Sequence, residues 1–241
     1  MSRPKRTITL PGQDMSSQIK VAARQQMAQH GTAGISLRGI ARKLGITAPA
    51  IYNYFPRLED LITALIVDAF TDLAEAMEAA EDAAPSRRPA DRIVTLCLAY
   101  RCWAVEHPVD FQLIYGNPIP GYAAPAEITI PLARRPFLRI FACFLEAYQA
   151  GALVIPTEYQ AVPPGMAVHL AGWKQLSGID MPDPLLGLLI SGWARIHGMV
   201  MLELFHHLQP LVGDAAALYR YEIDALVQHL GLTTTSGENH D

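Results

Sequence analysis

Apolar residues recur at helical spacing along most of this chain, marking one buried face per segment. From Met15 to Gln29 the stripe is Ile19, Ala22, Ala23 and Met27, with Ser16 or Ser17 placed to cap the helix and Gly31 to end it. Ser36 caps a short second helix, Leu37 to Leu44, which Gly45 closes. Thr47 caps a third helix with Pro49 in its first turn, where a missing N–H costs nothing, and this helix runs through Tyr54 before Phe55-Pro56 breaks it. A long helix from about Arg57 to Ala80 carries Leu58, Leu61, Ile62, Leu65, Ala69, Leu73, Ala76 and Met77 on one side, and residues 81–89 read as a turn to the next helix. Four further helices are predicted over 91–107, 131–150, 183–208 and 214–230, with proline-rich connections at 116–131 and 154–165. No segment alternates with a period of two residues, so the expected fold is all-α: a small N-terminal bundle over 15–60 and a larger bundle over 61–232, with tails at 1–14 and 233–241.

Composition sharpens this picture in two ways. With 241 residues, 51% of them hydrophobic and only 17% charged, the chain is expected to bury a substantial core without staples. The three cysteines, Cys97, Cys102 and Cys143, suggest no disulfide framework, and Cys97 and Cys102 match no zinc spacing and are expected to be small buried hydrophobes. No secretory leader pattern follows Met1, and the most apolar stretch, 184–208, carries Arg195, His197, Glu203, His206 and His207, which favours a buried helix over a membrane span. These readings point to the cytoplasm.

Charge is distributed unevenly. The whole chain is at −4, yet residues 1–60 hold nine Lys/Arg against three Asp/Glu, a net of +6, and the rest holds ten against twenty, a net of −10. A basic head on an acidic body suits a module that meets phosphates only at one end. Within that head Ile40, Leu44, Ile46, Ile51 and Tyr54 are apolar where two short helices must pack, Ala41 is small where they cross, and Gly45 suits a left-handed turn. These are the requirements of a helix-turn-helix.

The run Ile40-Ala41-Arg42-Lys43-Leu44-Gly45-Ile46-Thr47, then Ile51-Tyr52-Asn53-Tyr54-Phe55 and Leu61, resembles the N-terminal domain of the TetR family of bacterial transcriptional regulators over residues 15–65. Residues 99–108, 112–118 and the Trp193-Ala194-Arg195-Ile196-His197-Gly198 run resemble the regulatory domain of the branch marked by Trp and His-Gly. The resemblance implies a homodimer joined through the last two long helices, around 185–208 and 215–230, that binds a double-stranded DNA operator. It also implies roles for single residues. Arg38 would read a guanine edge, Ala48 and Pro49 would face the groove, Asn53 would meet adenine or a phosphate, and Tyr52 and Thr47 would hold the backbone. Many members carry Lys near the start of the fourth helix; here Leu58 stands there, and Arg57 would have to substitute. Arg42 and Lys43 read as solvated charges, and Arg3, Lys5 and Arg6 as a basic tail.

For the second domain the same resemblance implies a repressor released by a small effector. Candidate lining residues are Tyr100, Trp103, Phe111, Tyr115, Phe141, Trp173, Trp193 and His197, with Phe137 and Phe144 nearby in sequence. Charged residues are expected to lie on exposed helix faces, which points to an apolar or aromatic ligand. No cofactor, metal or catalytic motif emerges: there is no Gly-x-Ser-x-Gly, no phosphate-cradling glycine loop and no His-Glu-x-x-His, and His206-His207 sit too far apart around a helix to chelate one ion. The competing expectation is a DNA-bound scaffold that recruits a protein partner without any effector.

Overall fold

The computed structural model describes residues 14–232 apart from 85, 87 and 179; the two tails, with Arg3, Lys5 and Arg6, lie outside the described residues. Among the described residues there are eleven α-helices and no strand. The all-α expectation holds. The chain divides into two compact units, one made of residues up to 72 together with 107–134, the other of 73–106 together with 135 onward. This division differs from a boundary at residue 60, because a later segment of the chain packs into the N-terminal core.

In the N-terminal unit, α1 (Met15–His30), α2 (Leu37–Leu44) and α3 (Ala48–Tyr52) form the tri-helical head. The cap of α1 is Asp14, not Ser16 or Ser17: its Oδ1 accepts the Ser17 N–H at 2.7 Å, and the helix starts at Met15, which places both serines inside its first turn. Ile19, Ala23, Ile40, Ile51 and Leu61 are buried together with Phe55. Tyr54, expected in this core, is about half exposed, because α3 ends at Tyr52 and Phe55, four residues after Ile51, fills the inward position. The first part of α4 (Leu58–Asp82) and the short α6 (Pro108–Tyr115) close the core with Ile62, Leu65, Phe70 and Leu113. α6 was not foreseen, since its two turns begin on a proline directly after another helix. Lys20 meets Asp68 at 2.8 Å, and Arg24 Nε donates to both oxygens of the buried Asp110 at 2.8 and 2.9 Å.

The C-terminal unit holds the remainder of α4 and α5 (Pro89–Glu106), then most of α7 (Ala126–Gln149), α8 (Pro164–Ser177), α9 (Asp183–Leu204), α10 (Gln209–Val212) and α11 (Ala215–His229). α7 begins five residues before Pro131, so Pro131 and Pro136 both lie inside a helix rather than at its edge. α8, also unforeseen, starts on Pro164. α9 stops at Leu204 instead of 208, and His206 adopts φ +59°, which takes the two neighbouring histidines out of a helix altogether. By length and composition α9 is long and apolar enough to cross a membrane, yet Leu185, Leu186, Ile196 and Val200 are buried within this unit, where the helix meets α5 and α11.

Charge burial departs from expectation. Glu81 is only 2% exposed, held by Arg92 Nε at 2.8 Å and Arg139 Nη1 at 2.8 Å, and Glu203 is buried against Arg101. Acids are therefore not confined to exposed faces. Cys97 and Cys143 are buried, and burial first of all pushes both thiols up to about 12. Cys102 is exposed, contrary to its expected burial, with its thiol donating to Glu106 Oε1 at 3.3 Å.

Candidate nucleic-acid interface and ligand cavity

The geometry of the head starts from its caps. Ser36 Oγ accepts the Gly39 N–H at 3.0 Å, and the Ser36 N–H is itself fixed by Gln26 Oε1 of α1 at 3.0 Å. Gly45 sits at φ +70° and returns its N–H to Arg42, while the next N–H, of Ile46, reaches the Ala41 carbonyl at 3.1 Å. Only a residue without Cβ takes that left-handed turn at no steric cost. Thr47 Oγ1 accepts from the Ala50 N–H at 3.4 Å and starts α3.

With Ile51 and Phe55 buried, the other side of α3 must face out. Thr47, Ala48, Pro49, Tyr52 and Asn53 are all exposed, as are Arg38, Arg42 and Lys43 on α2. Arg38, Tyr52 and Arg57 line one surface depression of about 340 Å³ together with Ser36 and Leu58. Arg57 is engaged there: its guanidinium donates to Asp60 at 2.6 and 3.2 Å, and its backbone N–H donates to the same carboxylate at 3.0 Å. These hydrogen bonds hold the Asp60 carboxyl below its usual range and the guanidinium above its own. The seven residues expected to touch DNA thus fall into two neighbouring groups, four along the start and end of α3 and three around the depression.

The aromatic candidates of the second domain do not stay together. Phe111 and Tyr115 belong to the N-terminal unit, with ring centroids 5.1 Å apart and Tyr115 edge-on to Phe70 at 5.8 Å. They are removed from the C-terminal cavity for that reason. The C-terminal unit gathers the rest: Phe137 meets Trp193 edge-on at 5.7 Å, Phe141 meets Trp173 edge-on at 5.6 Å, and Trp193 and His197, one turn apart, lie 5.1 Å centroid to centroid. Tyr100 Oη and His197 Nδ1 are hydrogen-bonded at 2.7 Å, and burial holds this imidazole below its usual pKa, hence neutral. Beside this cluster is an apolar cavity of about 30 Å³ bounded by Phe137, Phe141, Trp193, Cys97, Leu188 and Leu226. Tyr100, Trp103, Trp173 and His197 are not in its wall; Trp103 is buried elsewhere on α5. The aliphatic half of the wall went unnoticed in the sequence because α9 and α11 read there simply as core stripes.

Two short capped helices presenting small and cationic groups, joined in one chain to a larger helical unit, define a DNA-binding transcriptional regulator. Known proteins place the chain more narrowly. The family described as "Bacterial regulatory proteins, tetR family" matches residues 19–65, and "Tetracyclin repressor-like, C-terminal domain" matches 93–226. The chain is 33% identical over 195 residues to the HTH-type transcriptional regulator Rv1816 of Mycobacterium tuberculosis, covering 80% of this chain and 82% of the relative. It superposes on the crystal structure of SCO4313 with a TM-score of 0.70 and 31% identity, over 88% of this chain and 95% of that one. The fold is also that of PfmR from Thermus thermophilus, with a TM-score of 0.60 and 16% identity over 92% and 98%. The chain belongs to the TetR family of bacterial transcriptional regulators.

Proposed function

We propose that this regulator is a cytoplasmic, nucleoid-associated repressor that binds a palindromic operator as a homodimer, with each α3 in a major groove. The observation that carries the reading is the shared exposure of Arg38, Thr47, Ala48, Pro49, Tyr52 and Asn53 on helices pinned from behind by Ile40, Ile51 and Phe55. Arg38 forks onto a guanine, Asn53 meets adenine or a phosphate, and the small Ala48 and Pro49 lie against thymine methyls. Tyr52 and Thr47 hold the backbone, and Arg57 replaces the cation missing at Leu58, oriented by Asp60. Ile190 and Leu202 on α9 and Tyr221 on α11 are exposed apolar groups, which supports dimerisation through these two helices. Leu202→Arg should then give monomers by light scattering.

The effector is an apolar or aromatic small molecule in the cavity beside Phe137 and Trp193. It has to part the rings to enter, and that difference in packing is what gives it unequal affinity for two conformations. The small volume also favours a second reading, a DNA-bound scaffold whose tightly packed C-terminal unit recruits a protein and takes no effector.

Selection of bound duplexes from a random pool tests the first reading. Enrichment of an inverted repeat is expected, and Arg38→Ala should relax one base position per half-site while Tyr52→Phe weakens all sites alike. Enrichment of no sequence by folded protein would overturn it.

A further inference from the structure

The first turn of α2 borrows half of its cap from another helix. A helix start of the form Ser-x-x-Glu or Ser-x-x-Gln closes on itself: the serine oxygen takes the N–H three residues on, and that residue's side chain reaches back to the serine N–H. Here the first half is present, since Ser36 Oγ accepts the Gly39 N–H at 3.0 Å. The second half cannot come from within α2, because Gly39 has no side chain. Instead Gln26 Oε1 of α1, ten residues earlier in the chain, takes the Ser36 N–H at 3.0 Å.

Gln26 can stand there because position 39 is glycine. A Cβ at Gly39 would run into the Gln26 amide nitrogen and lie 3.1 Å from Ser36 Oγ. Glycine weakens a helix interior relative to every residue but proline, so what it supplies here is clearance. The two residues act as one device, in which α1 provides the side chain that α2 lacks. α1 is itself a firm support: Lys20 is bonded to Asp68 of α4, Arg24 Nε to both oxygens of Asp110 of α6, and Ile19, Ala22 and Ala23 are buried. Between Ser36 and Gly39 lies Arg38, exposed at the depression it shares with Tyr52 and Arg57, while Leu37 and Ile40 of the same turn are buried.

We infer that Gln26 is a positioning residue for operator recognition: by holding the Ser36 N–H it sets the first turn of α2 against α1 and so aims Arg38, whose assignment as the guanine reader this role rests on. A forked contact needs two N–H groups directed at O6 and N7 together, and it tolerates little rotation of the turn that carries it. A single bond from Tyr52 on α3 to a phosphate does not depend on the direction of α2.

The test uses the full-length protein with the duplex selected from the random pool and its single-base-pair variants, and adds Ser36 amide exchange by NMR, which needs no DNA. Gln26→Ala should speed Ser36 exchange by about three- to tenfold and reduce discrimination by about the same factor, only at the base pair that Arg38→Ala relaxes. In the Arg38→Ala background the same substitution should alter base discrimination no further. Gly39→Gln added to Gln26→Ala supplies the acceptor from within α2 and should restore both Ser36 protection and discrimination. A loss spread equally over all base pairs, unchanged Ser36 exchange, or no rescue by Gly39→Gln would overturn the positioning role while leaving Arg38 as the base reader. Full discrimination by Arg38→Ala would overturn both.

Discussion

Asp110 in the N-terminal unit and Glu81 in the C-terminal unit are both buried helix carboxylates held by arginine, yet their surroundings shift them in opposite directions. Burial raises Asp110, and the single guanidinium of Arg24, which also faces Asp68 at 3.7 Å, does not compensate, with Asp72 adding repulsion. Burial pulls Glu81 upward too, but Arg139 and Arg92 together outweigh it and its pKa falls below the usual carboxylate value. Asp110 answers to one guanidinium shared with Asp68, Glu81 to two. Helix starts vary inside both units: α1, α2 and α3 begin on the side-chain caps Asp14, Ser36 and Thr47 and α11 on Asp214, whereas α6, α8 and α9 have no side-chain cap and carry a proline in the first turn. The turn of the head is specified locally, and the Glu81 cluster by contacts distant in sequence.

This contrast can be broken at Glu81 first. Glu81→Gln removes the buried carboxylate shared by Arg92 and Arg139, leaving them only the exposed Glu146 and Asp82, and should cost about 3–5 kcal/mol, read from the urea midpoint at neutral pH. A loss no larger than that of a surface substitution would show the cluster to be solvated. Because Glu81 is depressed in the folded state, its stabilisation is present above the unfolded carboxylate pKa and disappears as pH falls through the folded value. A smaller effect is expected at Ser36. Ser36→Ala frees the Gly39 N–H and should cost about 1 kcal/mol, together with weaker operator binding as the first turn of α2 loosens. The least change is expected at Asp110. Asp110→Asn should stay within about 0.5 kcal/mol at neutral pH, since the charge it removes is poorly compensated. With its pKa raised, Asp110 stabilises the fold below the unfolded value of 3.8 and that contribution is lost as pH rises through the folded value, so the wild type and Asp110→Asn should converge in acid. A large loss in Asp110→Asn at neutral pH would instead mean that Arg24 wins.

What the sequence revealed follows the same division. Ser36, Gly45 and Thr47 each act on residues within a few positions of themselves, so the turn, the two helices and their outward faces were readable along the chain. Tyr54 was misplaced because its helix ends two residues earlier than its apolar pattern suggests. In the second unit the partners of Glu81 lie 11 and 58 residues away, and neither spacing has a local signature. Phe141 and Trp193, singled out by aromatic residue type, border the C-terminal cavity, but residue type could not show that Phe111 and Tyr115 pack with Phe70 in the other unit. The start of α7 was missed since Pro131 reads as a boundary, and in this helix it is not.

The two prolines inside α7 make it different in kind from α4, although the helices have 24 and 25 residues. Neither Pro131 nor Pro136 has an amide to donate, so the carbonyls of Glu127 and Leu132 have no helical N–H to meet, while α4 contains no proline at all. In native-state deuterium exchange this should appear as early labelling of α7 amides around residues 130–138, through openings that leave the rest of the molecule folded, against slow, globally limited labelling in the buried middle of α4.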